Sequence, residues 1–132
     1  MKKLKVETAT QKLYWDNENE IAWGELFANQ TTVELAKKNV DAQERLRDSM
    51  NKAKIRVLID MTSVTEISKE ARDYFANERT ASIQRATALL IGSPVSRVIG
   101  NFFMGLNKPF SPTRLFTDPH KAIQWLHTFS DD

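Results

Sequence analysis

The sequence predicts an α/β protein with a mixed, mostly parallel sheet, an N-terminal β-hairpin and the element order ββαβαβαβα. Two compact apolar runs, "IRVLIDM" and "ATALLIG", have the composition of interior strands that are covered on both faces. Amphipathic helical segments alternate with these runs, and the connections between them are short. Strands that alternate with helices pair in parallel through right-handed crossovers, whereas the hairpin supplies an antiparallel edge.

The N-terminal part of the chain predicts the hairpin and a long helix. In "KLYWDNENEIAW", two runs rich in aromatic and apolar residues flank the polar "DNEN", which indicates antiparallel strands joined by a turn over residues 11–23. The following "TTVELAKKNVDAQERLRDSM" begins with Thr31 and Glu34, which have the spacing of a capping box. The apolar face of this predicted helix consists of Val33, Ala36, Val40, Leu46 and Met50.

Capping signals place the other three helices. Ser68 is a candidate N-cap with Glu70 in the first turn, and this second helix should end before Arg85. Ser93 and Asp118 each precede a proline, which is favoured at the first helical position because its missing N–H costs nothing there. Between these two caps, "TRLFT" predicts a short strand. The inward-facing residues of the last helix are Ala122, Ile123, Leu126 and Phe129.

The third predicted helix, in "SPVSRVIGNFFMGLNKPFSP", is unusually rich in apolar residues. At 100° per residue, the stripe expected to face the core consists of Val98, Ile99, Phe102 and Leu106. The opposite side consists of Arg97, Gly100, Asn101 and Met104. Met104, with Phe103 at the edge of the stripe and Phe110 nearby, predicts an exposed apolar patch for a partner or ligand. The alternative is that the "LNKPFSP" loop folds back over Met104.

The start of this third helix is a second candidate site. It follows the carboxyl end of a strand, where open α/β sheets usually bind ligands. Its free N–H groups, together with Ser93, Ser96 and Arg97, could hold an anion. The structural alternative is that Ser93 and the following proline are simply a good helix cap.

The composition predicts one globular domain over residues 1–132, since 41% hydrophobic and 27% charged residues suffice for a core. The absence of cysteine fits a reducing cytoplasm. Neither a secretory apolar region nor a run of membrane-spanning length occurs, so we expect a cytoplasmic protein without membrane insertion. A net charge of +2 argues against nucleic-acid binding. Lys52, Lys54 and Arg56 are expected to form a solvated corner.

Signatures of catalysis and metal binding are scarce. His120 and His127 lie on one predicted helix at a separation of about 10 Å along its axis, too far to share a metal without other ligands. The four glycines are scattered and form no phosphate-binding loop. A serine hydrolase would need a histidine beside its nucleophile, and neither histidine is placed in that way. We therefore expect no catalytic residue, no metal, no cofactor and no enzymatic activity.

The segment "VLIDMTSVTEISKEARDYF" resembles the SpoIIAA-like proteins, the STAS family of anti-sigma factor antagonists. In that family an interior strand ends in Asp, a short turn follows, and an Asp-Ser-Ser-Gly motif opens a helix. Here Asp60 ends the strand, and "SKEA" at residues 68–71 stands at the motif position. The resemblance covers residues 31–129 and is strongest to uncharacterised bacterial members. It implies a SpoIIAA-like fold and a role in protein contact.

One departure from the family pattern affects regulation. The second serine of the motif takes the regulatory phosphate in the anti-sigma antagonists, and Glu70 stands at that position here, after Lys69. Glu70 carries a permanent negative charge at a helix start and cannot be phosphorylated. The usual phosphoserine switch is therefore expected to be absent, unless the neighbouring Ser68 serves instead.

These observations favour a non-enzymatic cytoplasmic regulatory module that binds a protein partner. Its expected interaction surface consists of Ser68, Glu70, Arg72, Ser93, Arg97, Asn101, Phe103 and Met104. Phe103 and Met104 would anchor the partner, and the charged residues would set partner choice. The alternative function is a small-molecule carrier that holds an apolar or anionic ligand between the third helix and the "LNKPFSP" loop. A homo-oligomer is also plausible, because the hairpin is expected to leave a sheet edge open.

Overall fold

The computed structural model describes residues 5–130. In that range the chain forms strands, α-helices and one π-helical turn, in the order β1 (Lys5–Glu7), β2 (Gln11–Asp16), β3 (Ile21–Leu26), α1 (Val33–Ser49), β4 (Ile55–Asp60), α2 (Lys69–Phe75), α3 (Glu78–Ile83), β5 (Gln84–Leu90), α4 (Pro94–Phe102), the π-helical turn (Phe103–Asn107), β6 (Thr113–Phe116) and α5 (Pro119–Leu126). The predicted fold class is confirmed. Sequence reasoning missed β1 and the division of the second helix into α2 and α3.

The strands form one six-stranded sheet in the order β1-β2-β3-β4-β5-β6. The first three strands pair antiparallel, and β3 to β6 pair parallel. Because the parallel strands advance in one direction, right-handed crossovers bring their connecting helices to the same face of the sheet. The edge strand beside the hairpin is β1, so β2 is not the open edge that the sequence suggested.

Each face of the sheet is covered by its own helices. Val57 and Ile59 of β4 belong to a core cluster that includes side chains from α1, α3 and α4. Leu58, between them, points to the other face and packs with Ala122 and Leu126 of α5. Strand β4 is therefore buried on both faces, as its apolar run predicts.

Two local predictions near α1 and β4 are wrong. The N-cap of α1 is Thr32, whose Oγ1 accepts the N–H of Leu35 at 3.2 Å, and not Thr31. Arg56 is only 6% exposed, whereas the sequence suggested a solvated corner. Its guanidinium donates to the carbonyl oxygens of Glu20 and Phe129, because β4 carries Arg56 inward at the end of the sheet.

Candidate functional site: the outer face of α4

The segments that follow β4 and β5 leave the sheet side by side. Asp60 and Leu90 are paired across these two parallel strands, and the N–H of Met61 donates to the carbonyl of Leu90 at 3.0 Å. Gly92 approaches Thr62 so closely that a Cβ at Gly92 would lie 3.0 Å from Thr62 Cγ2. The predicted common rim of the two inner strands is therefore present, and it places α2 and α4 at the same edge of the sheet.

The sequence-predicted residues of α2 are used for capping and for contact with the π-helical turn. Ser68 caps α2, since its Oγ accepts the N–H of Ala71 at 3.2 Å. Glu70 is exposed in the first turn. Arg72 is half-buried and donates to the carbonyl of Ile67 at 2.8 Å and to Asn107 Oδ1 at 3.3 Å. Arg72 thus connects α2 with the π-helical turn.

Asn107 connects the π-helical turn with two residues of α2, Arg72 and Asp73. Its Nδ2 donates to Asp73 Oδ1, while its Oδ1 accepts from Arg72. Asp73 also accepts from Lys69 Nζ at 2.8 Å. The hydrogen bond from Lys69, with help from Asn107, lowers the pKa of Asp73 below its ordinary value. The α2-to-π-turn connection is therefore a polar clamp of Lys69, Arg72, Asp73 and Asn107 at the protein surface.

The start of α4 is a closed capping box. Ser93 Oγ accepts the N–H of Ser96 at 3.0 Å, and Ser96 Oγ accepts the N–H groups of Ser93 and Gly92 at 3.0 and 3.1 Å. The N–H of Arg97 donates to the carbonyl of Ser93. The hydroxyls of Ser93 and Ser96 are thus engaged within the cap itself, whereas the side chain of Arg97 is exposed.

The orientation of α4 differs from the sequence-based prediction. Val98, Phe102 and Leu106 were expected in the core, but they are 52%, 51% and 69% exposed. Only Ile99 of the predicted core stripe packs against the core, where it is joined by Phe103. The fully buried residues of α4 are Ser96 and Gly100. Relative to the prediction, the helix is rotated about its axis, and its apolar stripe faces outward.

Small residues explain this rotation. A Cβ at Gly100 would lie 3.0 Å from Leu115 Cδ2 and 3.5 Å from Ile91 Cγ2, so the backbone of α4 packs directly on the sheet there. Ser96, one helical turn earlier, is buried because its hydroxyl is used in the cap. The sequence signal that could have shown this is the pair of small residues four apart, which lie on one helix face.

The exposed surface that results is here called the α4 face, and it consists of Val95, Val98, Phe102 and Leu106. Phe110, in the loop that follows, is also exposed. A shallow groove crosses this face and is lined by Val98, Asn101, Phe102, Gly105 and Leu106. Gly105 leaves the groove open, since a Cβ there would meet no atom within 4 Å. The predicted anchors lie differently: Phe103 packs against the core, and Met104 is half-buried. Among the predicted residues, Asn101 lines the groove and Arg97 is exposed beside it.

The π-helical turn continues α4 and ends with a left-handed residue. Lys108 has φ = 48° and its N–H donates to the carbonyl of Phe103 at 3.3 Å. π-Helical turns are rare and often occur at functional sites. Here the turn carries Gly105 and Leu106 into the groove, and it carries Asn107 into the clamp with α2.

The chain segment that carries the α4 face has charges of one sign, although Asp73 of α2 lies at the edge of this face against Asn107. Residues 79–117 contain no Asp or Glu, whereas they include the exposed residues Arg97 and Lys108; Arg114 lies over Phe116 on the α5 side of the sheet. The overall net charge of +2 conceals this segregation, because acidic residues are concentrated elsewhere in the chain. Sequence reasoning that counted the total charge therefore missed a local cationic region.

Behind α4, between the sheet and the helices, lies a cavity of about 60 Å³. Its apolar wall consists of Leu26, Ile59, Met61, Ile67, Phe75, Leu89, Ile99 and Phe103. Its polar side consists of Gln11, Gln43, Gln84, Thr87 and Thr113. The sequence analysis did not find this cavity. The signal for it is the placement of glutamines at buried positions of β2, α1 and β5.

Comparison with known families identifies the chain. The profile of a domain of unknown function, DUF7793, matches residues 17–130. The chain belongs to this family. A comparison of the DUF7793 chain with curated proteins finds no match.

A solved structure establishes the fold of this DUF7793 protein. It is similar to the crystal structure of an uncharacterised DUF3478-family protein with a SpoIIAA-like fold from Shewanella loihica PV-4, with 15% identity, a TM-score of 0.61, and coverage of 93% of this chain and 98% of that chain. A protein of unknown function from Arthrobacter sp. FB24 is 28% identical over 87% of this chain and 97% of that chain, with a TM-score of 0.30. The SpoIIAA-like fold that the sequence resemblance implied is confirmed.

Two kinds of feature are absent from residues 5–130. In that range, no cluster of three or more His, Cys, Asp or Glu side chains is arranged to hold a metal ion. None of the helices in the same range is long and apolar enough to span a membrane.

Proposed function

We propose that this DUF7793 protein is a non-enzymatic, cytoplasmic interaction module that binds a protein partner through the α4 face. The observation that carries the proposal is the exposure of four large apolar side chains on one helical segment, each between 45% and 69% exposed. Large contiguous apolar patches on a folded protein mark interaction sites. The proposed site uses the helix that the sequence analysis singled out, with its apolar stripe as the contact in place of Phe103 and Met104.

The groove gives the α4 face a shape that suits an inserted side chain. Phe102 and Leu106 stand beside Gly105, which adds no side chain of its own. An apolar side chain of the partner placed over Gly105 would be covered by its neighbours on the face. Burying an apolar side chain fully contributes about 1.5–3 kcal/mol, so several such contacts are needed to offset the roughly 4–15 kcal/mol cost of association. Asn101 at the groove can hydrogen-bond to the partner backbone.

The surrounding charges favour a partner with acidic residues. Arg97 and Lys108 are exposed cations of the segment that carries this face, and Asp73 at its edge is already paired with Lys69, so a partner with carboxylates would associate faster and with higher specificity. A symmetric dimer through this face would bring the cations of two copies together, which is unfavourable. The α4 face therefore fits an amphipathic, acidic segment of another protein better than a second copy of this chain.

The absence of a phosphoserine at the family's motif position is part of the proposal. Glu70 is exposed at the first turn of α2 and provides a fixed negative charge there. Ser68 Oγ already accepts the N–H of Ala71, so its role as a cap accounts for this serine. Binding through the α4 face is accordingly expected without prior phosphorylation of α2.

The test uses a photocrosslinking amino acid in the host cell, placed at Leu106 in one protein and at Gln124 in the control. Gln124 is an exposed position of α5, on the other face of the sheet. The captured protein is identified, purified and titrated against wild type, the variant Leu106→Glu and the matched control Gln124→Glu. We expect Leu106→Glu to weaken binding by about 30-fold or more, as for a central interface residue, and Gln124→Glu to bind like wild type.

Three results would contradict this function. A crosslink to a second copy of the chain would assign the α4 face to self-association. Crosslinking only to lipid, with flotation on anionic vesicles that Leu106→Glu abolishes, would assign it to a membrane surface. Equal affinity of the purified partner for wild type and Leu106→Glu would place the interface elsewhere.

The cavity behind α4 favours a second function, small-molecule binding. Most of its wall is apolar, and its polar residues lie together on one side. Ligand pockets commonly combine an apolar lining with a few grouped polar side chains. This cavity lies on the sheet side of α4, whereas the α4 face points away from it, so the two proposed functions use different surfaces of the same helix.

A further inference from the structure

A connected series of buried amide side chains lines the cavity. Gln11 Nε2 donates to the carbonyl of Asn39 at 3.1 Å, and Gln43 Nε2 lies 3.5 Å from Gln11 Oε1. Gln84 Nε2 donates to Gln43 Oε1 at 2.8 Å, and Thr87 Oγ1 donates to Gln84 Oε1 at 2.7 Å. These contacts run from α1 across the interior to β5, and Gln11, Gln43 and Gln84 are at most 6% exposed.

The orientation of every amide in this series follows from the hydrogen bond between Gln11 and the carbonyl of Asn39. A backbone carbonyl can only accept, so Gln11 must present Nε2 to Asn39 and therefore Oε1 to Gln43. Gln43 must then present Nε2 to Gln11 and Oε1 to Gln84. Gln84 in turn presents Oε1 to the hydroxyl of Thr87. The amides cannot reverse individually without placing two donors or two acceptors against each other.

With these orientations, the glutamine side chains have N–H donors at the cavity that lack an acceptor. Each glutamine amide has two N–H groups, and the hydrogen bonds within residues 5–130 use one N–H of each. Buried N–H groups without partners are costly, so an acceptor atom in the cavity is strongly favoured. No ionisable side chain lines the cavity, and an anion would be poorly solvated there. The complementary group is a neutral oxygen acceptor.

The size and the opposite wall define the rest of the ligand. An apolar cavity of about 150 Å³ holds benzene, so in proportion a cavity of about 60 Å³ accommodates roughly two to three non-hydrogen atoms, and the rest of a larger ligand lies in the opening of the cavity. Leu89 and Ile99 provide an apolar wall for a short alkyl group. Phe75 and Phe103 are half-buried and mark the direction in which a longer chain would extend.

We propose that the cavity binds a neutral carbonyl group that carries a short alkyl substituent, with the oxygen accepting from the free amide N–H groups of Gln43 and Gln84. This inference rests on the second proposed function, small-molecule binding, and adds the chemical class of the ligand. It is independent of partner binding at the α4 face.

The test compares two probes of equal shape. Butanone has the carbonyl oxygen, and 2-methyl-1-butene replaces that oxygen with a CH₂ group. Each is titrated into the ¹⁵N-labelled full chain, and NMR follows the side-chain amide signals of the glutamines. We expect butanone to bind about three- to ten-fold more tightly than the alkene, as one net hydrogen bond provides, and to shift the amide signals of Gln43 and Gln84.

Two variants test whether the probes bind in this cavity. Gln84→Leu should remove the preference for butanone, and Leu89→Phe, which fills the apolar wall, should remove binding of both probes. If Gln84→Leu does not fold, the NMR shifts of the glutamine side-chain amides in wild type still show whether butanone binds beside Gln43 and Gln84. Equal affinity for both probes would overturn the carbonyl assignment but keep small-molecule binding. Binding of neither probe would overturn both, and would mean that water alone satisfies the amides.

Discussion

Helices α4 and α5 start alike and pack in opposite ways. Each follows a parallel strand and begins with a polar cap and a proline, and each carries an apolar stripe. The stripe of α5 faces the sheet, with Leu126 fully buried, whereas the stripe of α4 faces away from it, with Phe102 half exposed. The difference lies in the other side of each helix. In α5 that side has large polar residues such as Lys121, and in α4 it has Ser96 and Gly100.

This contrast shows that an amphipathic pattern alone does not determine which face is buried. A helix packs against a sheet with the side that allows the greater contact, and small residues permit a close backbone approach that large ones prevent. The apolar stripe of α4 is therefore exposed and does not contribute to the core. An exposed stripe of this kind has no stabilising role in the isolated chain, which is why we assign it to partner binding.

The largest expected difference between the two helices is in leucine truncation. Leu126→Ala in α5 should lower the free energy of unfolding by about 2–5 kcal/mol, because Leu126 is 0% exposed and the change leaves a cavity. Leu106→Ala beyond α4 should change it by no more than about 0.5 kcal/mol, because Leu106 is 69% exposed. Urea denaturation measures both values. Comparable losses in the two variants would show that the α4 stripe is buried in solution.

A second prediction compares the two glycines of the α4 segment. Gly100→Leu should destabilise the protein by about 1–3 kcal/mol, because the new side chain meets Leu115 where α4 touches the sheet. Gly105→Leu, with no atom within 4 Å of its Cβ, should be neutral or stabilising by up to about 1 kcal/mol through helix propensity. Thermal denaturation gives the comparison.

Gly105→Leu also tests the groove, because leucine there would occupy the space that we assign to the partner. The variant should therefore keep its stability and lose affinity for the partner. A stable Gly100→Leu protein would contradict the close packing that turns the apolar stripe outward. A stable Gly105→Leu protein with unchanged partner affinity would contradict the use of the groove.

Much of the fold could be predicted from the sequence because the deciding interactions are local. Ser68, Ser93 and Asp118 accept N–H groups within three residues along the chain, so their caps are visible in the sequence. The interior strand β4 is recognisable from its composition, since it is buried on both faces. In these cases the pattern and the structure depend on the same neighbouring residues.

The candidate site could be predicted only in part, because its geometry depends on contacts far apart in sequence. The outward turn of α4 depends on Gly100 meeting Leu115, and the clamp depends on Asn107 meeting Asp73. The cavity requires Gln11, Gln43 and Gln84 to come together from three elements. Periodicity assigned the apolar stripe to the core by default, although the proposed site lies on the same helix that the sequence analysis singled out.

A third prediction concerns the caps of the two helices. Ser93→Ala should cost about 1–2 kcal/mol, because Ser93 Oγ accepts the N–H of Ser96 and also hydrogen-bonds Ser96 Oγ. Asp118→Ala should cost about 0.5–1 kcal/mol, because its carboxylate accepts only the N–H of His120 in the described residues. Chemical denaturation of the two variants, with Ser111→Ala in the preceding loop as a control, measures the difference. A larger loss in Asp118→Ala would contradict the reciprocal box at α4.

The smallest expected effect is a pH dependence at the end of the α4 segment that the end of α5 does not share. Trp125, in the last turn of α5, packs edge to face on Phe129 at 5.0 Å, an apolar contact without a titrating group, whereas the π-helical turn after α4 is held by the carboxylate of Asp73. The hydrogen bond from Lys69 lowers the pKa of Asp73, so its contribution is present above the unfolded pKa and is lost as pH falls through the lower, folded value.

Amide hydrogen exchange should therefore accelerate at residues 103–108 when the pH falls well below 3.8, the ordinary value for Asp73, after correction for intrinsic rates. The variant Asp73→Asn should show raised exchange at these residues at neutral pH and should lack the acid-induced change, because its side chain carries no titrating charge. Asp73 is exposed, so global stability should change little. An identical acid response in Asp73→Asn would show that another group holds the π-helical turn against α2.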